Sequence, residues 1–401
     1  MPIDTLWGMS AQRVRVGSAV AAATVVLLAG CWSAPQAAPA APLRPGWQAV
    51  TLPVPPGTPG RLLLRDVAQC GGRWFAVGAV ADAAGATRPA AWSSPDTATW
   101  TPLRLTARSA YGAENVLTAA ACRNGLLAAV GAKRGGVHGN PRISTWRQLA
   151  DGTAVEVPAE FEVFGGPDAV NVGRIAGGPA GWLIAGNRGT GAAVWSSADA
   201  TEFQLVSGVA PLASDAAGRS WAADAAATAS GWVLVGSLRS PGRPGGDPAV
   251  WTSPDGRAWQ RRVLPDAAPP GDLQRVVAVG DRLVGLGRRG DSLAAWTAGP
   301  EGAQWRPGGS LPAAAGGPTA QVAALASTGG GVAAVVSTPT GVTGWFSPDA
   351  GGWSAVEVPR PLPGGADRSV ALAGSADRLV LAADDAEGGS LWTAQAPGRP
   401  G

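Results

Sequence analysis

Residues 91–100 read AWSSPDTATW, and the same phrase returns along the chain. It reads VWSSADATEF at 194–203, VWTSPDGRAW at 250–259 and GWFSPDAGGW at 344–353, with weaker copies beginning at Trp146, Trp296 and Trp392. The leading tryptophans are Trp92, Trp146, Trp195, Trp251, Trp296, Trp345 and Trp392. Seven copies at a period of roughly 50 residues indicate a propeller or a solenoid.

Three further short runs accompany each copy. An apolar run precedes it, as in residues 73–78 (RWFAVG) and 231–236 (GWVLVG), and a run of small apolar residues comes earlier still, as in 275–279 (RVVAV). A fourth run follows the phrase, as in 353–358 (WSAVEV). Short runs of this composition favour strands, and four strands per repeat make one propeller blade. The sequence therefore predicts an all-β chain with one β-propeller of seven four-stranded blades over residues 47–396.

One end of this region lacks a strand that the other end supplies. The last repeat supplies a third strand at about residues 391–394 and then ends without an outer strand, leaving residues 397–401 as a tail. A matching outer strand stands at residues 47–53 (WQAVTLP), before any other repeat element. Pairing the two would remove two open sheet edges. We therefore predict that the N-terminal strand closes the last blade.

The repeated phrase resembles a known turn. Residues 253–259 (SPDGRAW) resemble the Asp-box (BNR box) of sialidase-like propellers, Ser-x-Asp-x-Gly-x-x-Trp, with one residue missing before the glycine. The resemblance covers roughly residues 47–396 and implies a turn between the third and fourth strands. An aspartate in such a turn can accept backbone N–H groups. We therefore expect a structural role for the aspartates at these positions, which are Asp96, Asp199, Asp255 and Asp349.

The N-terminus has the composition of an export signal. Arg13 and Arg15 precede an apolar run from Val16 to Leu28, which is shorter than the roughly 20 residues that span a bilayer. The run ends Leu28-Ala29-Gly30-Cys31, which resembles the bacterial lipobox and implies that Cys31 is diacylated after cleavage. Residues 1–30 are then a lipoprotein signal peptide, and residues 31–46 form an Ala/Pro-rich tether. The alternative is an ordinary secretory signal with a chance cysteine. We expect an exported protein, anchored by lipid on the outer side of the cell membrane.

Residues that carry most catalytic chemistry are scarce. His138 is the only histidine and lies in a Gly-rich segment, which favours a solvated loop residue over a metal ligand or a base. We expect no metal, no cofactor and, with a net charge of only +3 and no arginine stripe, no nucleic-acid partner. Cys70 and Cys122 follow the inner strands of consecutive repeats, and export permits oxidation. They are predicted to form a disulfide; the alternative is two buried free thiols.

The resemblance raises one enzymatic hypothesis. Sialidases use a tyrosine nucleophile with a glutamate partner and an arginine triad. Tyr111 is the only tyrosine here, and Glu114 is near it in sequence. Four arginines lie in or beside predicted inner strands, so that a cationic cluster near the axis is conceivable; they are Arg65, Arg174, Arg275 and Arg368. Against this hypothesis, the family's early Arg-Ile-Pro motif is absent, and its tyrosine lies late in the chain. A sialidase-like glycoside hydrolase is therefore the alternative function.

A binding or scaffold protein is the preferred interpretation, and we expect a monomer. Long connections lie on the face opposite the Asp-box turns, mainly in the first four blades, and long loops on a rigid scaffold commonly bind ligands. Solvated loops without function are the competing interpretation. We expect the partner to be an envelope protein or a carbohydrate. The candidate binding-face residues are Tyr111, Glu114, His138, Arg219 and Trp221.

The lipid anchor is directly testable. Changing Cys31→Ser removes the thiol that would be acylated, so we expect the protein to leave the membrane fraction. The measurement is the distribution of the protein between membrane and soluble fractions of its own cells. Quantitative retention of the serine variant in the membrane would contradict the lipid anchor.

Overall fold

Seven antiparallel sheets follow one another along the chain, one for each repeat of the sequence. The computed structural model describes residues 40–135, 141–264, 269–365, 368–385 and 387–398. The predicted signal peptide, Cys31 and His138 therefore lie outside the described residues. Contacts divide the chain into Met1–Ala40 and a body from Ala41 to Gly401, and the sheets belong to the body. In the described ranges, no helix is long and apolar enough to cross a bilayer.

The strands are short and regular. The first fifteen are Gln48–Val50 (β1), Arg61–Cys70 (β2), Arg73–Ala81 (β3), Thr87–Ser94 (β4), Thr101–Pro102 (β5), Leu105–Thr106 (β6), Val116–Arg123 (β7), Leu126–Lys133 (β8), Arg142–Gln148 (β9), Ala154–Val157 (β10), Ala169–Gly178 (β11), Gly181–Arg188 (β12), Gly191–Ser197 (β13), Gln204–Val206 (β14) and Arg219–Thr228 (β15). The others are Gly231–Arg239 (β16), Asp247–Ser253 (β17), Gln260–Val263 (β18), Gly271–Val279 (β19), Arg282–Arg289 (β20), Ser292–Ala298 (β21), Arg306–Ser310 (β22), Gln321–Thr328 (β23), Gly331–Thr338 (β24), Gly341–Ser347 (β25), Ser354–Val356 (β26), Ser369–Gly374 (β27), Arg378–Asp384 (β28) and Gly389–Gln395 (β29). Within the described ranges, three single-turn helices lie between strands, at Ala110–Ala113 (α1), Phe161–Phe164 (α2) and, as a 3₁₀ turn, Ala313–Ala315 (η1).

Each sheet is one blade of a seven-bladed propeller, as predicted. The blades are, in order, β2–β5, β7–β10, β11–β14, β15–β18, β19–β22, β23–β26 and β27–β29 with β1; β6 adds a short parallel edge to the second. The first strands of consecutive blades contact one another, and β27 of the last blade contacts β2 of the first. The first strands therefore surround a central axis, and the ring is closed.

The apolar second strands explain why the blades stack. All eight residues of β12 are buried, and β16, β24 and β28 are buried along most of their length. A sheet that is apolar on both faces must be covered on both faces. Seven core clusters provide this cover, one between each pair of adjacent blades, including the pair formed by the last blade and the first.

Closure of the ring follows the predicted pairing. β1 runs antiparallel to β29, with Gln48 opposite Thr393 and Val50 opposite Leu391. Leu52, just after β1, is buried in the cluster between the last and first blades. The N-terminal strand thus supplies the fourth strand of the seventh blade.

The segment before β1 is attached to the sixth blade. Leu43, which the sequence analysis assigned to the tether, forms a parallel bridge with Val356, and its N–H donates to the Ala355 carbonyl at 2.8 Å. The Trp47 indole N–H donates to the Glu357 carbonyl at 2.6 Å. The N-terminal segment therefore joins the sixth blade to the seventh.

The repeated phrase forms tight Ser-x-Asp turns between third and fourth strands. The Asp255 carboxylate accepts the N–H groups of Arg257 and Ala258, each at 2.8 Å, and the Ser253 hydroxyl accepts the Gly256 N–H. Similar backbone bonds reach Asp96, Asp199 and Asp349. These N–H donors lower the pKa of the Asp255 carboxyl. The closing Trp259 is buried between the third and fourth blades.

A disulfide joins the first two blades. Cys70 at the end of β2 is bonded to Cys122 in β7, and their Cα atoms lie 5.6 Å apart. The bond closes a loop with a sequence separation of 52 residues. In the chain-entropy model, a loop of this size contributes on the order of 4 kcal/mol to stability.

The stability of the ring should depend on β1. A version of the body that begins at Val54 loses β1, Leu52 and the attachment of Leu43 to the sixth blade. We expect its melting temperature to fall by at least about 5 °C, because two sheet edges and an apolar core become exposed.

Versions that begin at Leu43 and at Trp47 are the controls. The first retains both attachments, and the second separates the effect of the Leu43 bridge from that of β1. Equal melting temperatures for the versions beginning at Leu43 and Val54 would show that closure by β1 does not stabilise the ring.

Candidate functional site

The first strands carry an irregularity that positions side chains at the axis. In six of the seven blades the pairing of the first strand with the second shifts register at an equivalent point, which marks a β-bulge. The bulge inserts an extra residue and redirects the chain locally. In β2 the extra residue is Arg65, and in β11 it is Gly173 or Arg174. Long polar side chains therefore leave the sheets near the centre of the ring.

An axial cavity of about 320 Å³ opens among these side chains. All four of the arginines that sequence analysis placed near inner strands line it, namely Arg65, Arg174, Arg275 and Arg368. They come from the first, third, fifth and seventh blades. The cavity also includes residues 362–365 and 383–385, which lie in or beside connections between blades or between second and third strands. It therefore opens on the face opposite the Ser-x-Asp turns.

Arg174 crosses the axis between two buried aspartates. Its guanidinium lies 3.3 Å from the Asp66 carboxylate of the first blade and 3.8 Å from that of Asp224 in the fourth. The negative charge of Asp66 raises the pKa of Arg174. Burial raises the pKa of Asp224, while Arg174 opposes that change.

The two aspartates also join blades through backbone bonds. Asp66 accepts the Ala120 N–H of the second blade at 2.9 Å, and Asp224 accepts the Val276 N–H of the fifth blade at 3.1 Å. Their carboxylates therefore hold first strands together, and their two negative charges interact with Arg174 and Arg275.

Arg65 is also paired. Its guanidinium bonds to the Asp384 carboxylate, which is 3% exposed and also contacts Arg61 at 3.3 Å. Because Asp384 lies in the seventh blade and both arginines lie in β2, the group joins the two blades on either side of the ring closure. Because one carboxylate serves two guanidinium groups, Arg61 and Arg65 together keep one positive charge beside the cavity.

Arg275 and Arg368 form no direct ion pair with a carboxylate of the described residues, although the charges of Asp224 and Asp66 act on Arg275. Arg275 donates to the carbonyl oxygens of Ala323 and Gln274, at 3.0 and 2.7 Å, which are neutral acceptors. Burial and the nearby charge of Arg174 lower the pKa of Arg275 to about 10, so it remains charged at neutral pH. Arg368 is exposed at the wall of the cavity. These two guanidinium groups can accept an anionic ligand.

The predicted binding-face residues are distributed over separate places. Tyr111, in α1, lines a cavity of 230 Å³ at the edge of the second and third blades. The Arg142 guanidinium lies between two rings there, 5.5 Å from the centre of Tyr111 and 4.5 Å from that of Phe161. Glu114 forms an ion pair with Lys133 at 2.7 Å. His138 lies outside the described residues.

Arg219 and Trp221 lie in β15, at its end on the cavity face. Trp221 lines a cavity of 250 Å³ that shares Arg275 with the axial cavity. Arg219 is exposed and lines neither. The structure thus brings Trp221 close to the arginines and leaves Tyr111 in a different cavity.

The tyrosine and glutamate expected of a sialidase do not form a pair. The Glu114 carboxylate is engaged by Lys133, and in the described part of the chain the Tyr111 hydroxyl has no carboxylate partner. Tyr111 does not line the arginine cavity. Among the described residues, no group of three His, Cys, Asp or Glu side chains is placed to hold a metal ion. The arrangement is suited to holding an anion.

Comparisons with known proteins concern the fold. No protein-family model and no curated protein matches the chain. Among solved structures, it is similar to a glycosyl hydrolase from Bacteroides ovatus, with 9% identity over 62% of this chain and 87% of that one and a TM-score of 0.33. The propeller domain of the trilobed protease from Pyrococcus furiosus is 10% identical over 83% of this chain and 95% of that one, with a TM-score of 0.42.

A third similar structure is longer. A puromycin-hydrolyzing peptidase from Mycobacterium tuberculosis is 13% identical, with a TM-score of 0.45, over 81% of this chain. The chain spans about half of that protein, 52% of its length. All these likenesses describe the β-propeller fold alone.

Sequence reasoning missed part of the cavity wall. Asp384 and residues 362–365 were not singled out, because their positions depend on how the seventh blade meets the first. The pair Arg65-Asp66 carried a usable signal: two adjacent charges within an apolar strand can both avoid the core only if the strand is irregular at that point.

Removing Arg174 should destabilise the ring in a pH-dependent way. In Arg174→Met, the carboxylates of Asp66 and Asp224 lose the cation between them, and we expect a loss of stability on the order of 3 kcal/mol at pH 7. The pKa of Asp224 is already raised, and losing Arg174 raises it further. At pH 4 the variant can protonate this carboxyl, so its deficit should be smaller.

The measurement is chemical denaturation at pH 7 and at pH 4. Arg378→Met, which changes an exposed arginine on the opposite face, is the control and should leave stability unchanged. A deficit for Arg174→Met that is equal at both pH values would contradict the role of the carboxylates.

Proposed function

We propose that this protein is a lipid-anchored, extracytoplasmic binding module that holds the acidic group of an envelope glycan in the axial cavity. The observation that carries the proposal is that two guanidinium groups, Arg275 and Arg368, line this cavity without a direct ion pair to a carboxylate of the described residues. Arg275 is partly buried and hydrogen-bonded only to neutral carbonyl groups, and a bound anion would offset the cost of burying its charge.

The charges of the cavity support one anionic group and not many. Arg174 and Arg275 together balance the charges of Asp66 and Asp224, and Arg61 and Arg65 share the single carboxylate of Asp384. One positive charge of that pair and the charge of Arg368 remain, while Asp385 at the rim forms an ion pair with Arg360. Arginine forks bind carboxylate and phosphate oxygens in pairs. A carboxylate or a phosphate on a small ligand therefore matches the free charge.

The size of the cavity favours a glycan over a protein partner. Its volume of about 320 Å³ is near the lower end of small-molecule sites. A specific protein interface instead needs roughly 800 Å² of surface on each partner. A concave site of this volume admits one sugar residue with an acidic substituent.

Binding is favoured over hydrolysis by the carboxylates of the cavity. Asp66, Asp224 and Asp384 each accept bonds from arginine or backbone N–H groups, so none is placed as a free acid or base. The Ser-x-Asp aspartates are on the opposite face, and their bonds within each turn support the structural role expected of an Asp-box. A glycoside hydrolase remains the alternative function, and the separation of Tyr111 from the cavity weighs against it.

The export and anchoring part of the proposal is supported by the sequence Leu28-Ala29-Gly30-Cys31. The disulfide between Cys70 and Cys122 is consistent with an oxidising compartment. An anchored ring with an anion site on one face could retain acidic glycans at the outer surface of the membrane.

Binding can be measured with the purified ectodomain. The probes are oligosaccharides that carry a uronate, a sialate or a phosphate group, each compared with its neutral counterpart by isothermal titration calorimetry. We expect at least one acidic probe to bind and its neutral counterpart to fail. The double change Arg275→Ala and Arg368→Ala should weaken binding at least about tenfold, because each charged hydrogen bond contributes roughly 1.5–3 kcal/mol.

Arg378→Ala is the matched control, since it removes an exposed arginine from the opposite face. Its affinity should equal that of the unchanged protein. Failure of all acidic probes, or equal binding by the double variant, would refute the axial anion site. Release of free sugar during incubation would instead support the glycosidase alternative.

A further inference from the structure

A second cavity adjoins the arginine site and has a different chemistry. It has a volume of about 250 Å³ and shares Arg275, Gln321 and Val322 with the axial cavity. The two cavities therefore adjoin at Arg275. Its distinguishing wall residue is Trp221, which is 46% exposed.

Trp221 is exposed although most tryptophans of this chain are not. The third-strand tryptophans Trp92, Trp195 and Trp251 are fully buried, and their indole N–H groups are bonded to carbonyl oxygens. Trp221 lies instead in β15, opposite Ser237 of β16, and belongs to no core cluster between blades. Packing does not account for a half-exposed indole at the edge of a cavity.

Uncharged hydrogen-bonding groups line the same cavity as this indole. The side chains of Gln321 and Ser237 make no hydrogen bond with any described residue. The Asn171 side-chain oxygen accepts a bond from Asn187 at 2.9 Å, which leaves its NH₂ group available. These three residues come from different blades and line one cavity. They offer amide and hydroxyl groups beside an aromatic face.

The cavity also contains one carboxylate. Asp272 accepts the Arg288 N–H and the Gln274 side-chain amide, both at 3.0 Å, and these neutral donors leave its negative charge in place. The Gln274 oxygen in turn accepts the Val322 N–H at 2.7 Å. With Asp272 and Arg275 the second cavity has one charge of each sign, so it is suited to a group without net charge.

We propose that the second cavity is a subsite for the neutral sugar next to the acidic one, and that Trp221 stacks against the apolar face of its ring. This inference rests on the proposed function, because the acidic sugar in the axial cavity fixes the position of its neighbour. A pyranose presents C–H groups on its face and hydroxyl groups at its edge. An exposed aromatic face with amide and hydroxyl groups around it matches both. The ligand class is therefore an acidic oligosaccharide that continues with neutral residues.

The experiment compares ligand length. Each acidic sugar is titrated as the free monosaccharide, namely glucuronate, N-acetylneuraminate or hexose 6-phosphate, and as the trisaccharide in which two neutral sugars follow it. We expect the trisaccharide to bind at least tenfold more tightly than the monosaccharide. In Trp221→Ala the advantage of the trisaccharide should shrink to less than threefold, with the monosaccharide affinity unchanged.

Two variants separate the subsite from the rest of the site. Tyr111→Ala removes a half-exposed aromatic ring from a different cavity on the same face and should leave both affinities unchanged. The double change Arg275→Ala and Arg368→Ala should weaken the binding of both the monosaccharide and the trisaccharide. Unchanged melting temperatures would show that each variant folds.

The outcomes distinguish the two proposals. If the monosaccharide and the trisaccharide bind equally, or if Trp221→Ala retains the full advantage of the trisaccharide, the subsite is refuted while the anion site stands. If neither ligand binds, the anion site itself fails, and the subsite fails with it.

Discussion

Each sheet of this protein is apolar on both faces, and the ring depends on that constraint. A strand such as β12, with every residue buried, can exist only between two neighbouring sheets. The same condition applies to every blade, so no blade can be the last. A linear stack would leave two apolar faces in water, whereas a closed ring leaves none. The seven core clusters between adjacent blades are the result.

Closure of the ring also brings polar side chains together at its centre, where they must be paired. First strands converge there, and the bulges direct polar side chains towards the space around the axis. The protein satisfies these groups with one another: Asp66 and Asp224 bind backbone N–H groups of adjacent blades, and Arg174 lies between the two carboxylates. Arg275, in contrast, bonds only to neutral carbonyl oxygens. The axial site is therefore what remains after the structural charges have been paired.

The repeat made the architecture predictable, and the site was predictable only in part. The spacing of the tryptophans predicted seven blades, and the outer strand at residues 47–53 predicted closure by β1. Both predictions were possible because the repeat period follows the pattern of buried residues. Arg65, Arg174, Arg275 and Arg368 could be placed near the axis for the same reason. The repeat period did not indicate the bulges, since an insertion of one residue barely changes the period of a short strand; only the adjacent charges of Arg65 and Asp66 indicated one. Tyr111 and Trp221 were grouped by face, but which cavity each one lines depends on contacts between distant loops.

The bulge recurs in the first strands of six blades, and this bears on which residues of the ring can be substituted. The extra residue has no partner opposite it in the second strand, so its side chain can vary without disturbing the pairing of the blade. Arg65, Thr118, Ala223, Gln274 and Ala323 hold such positions in five of the blades, and the variety among them is evident. Substitutions at these positions can therefore change the side chains around the axis while the strand pairing of each blade stays the same.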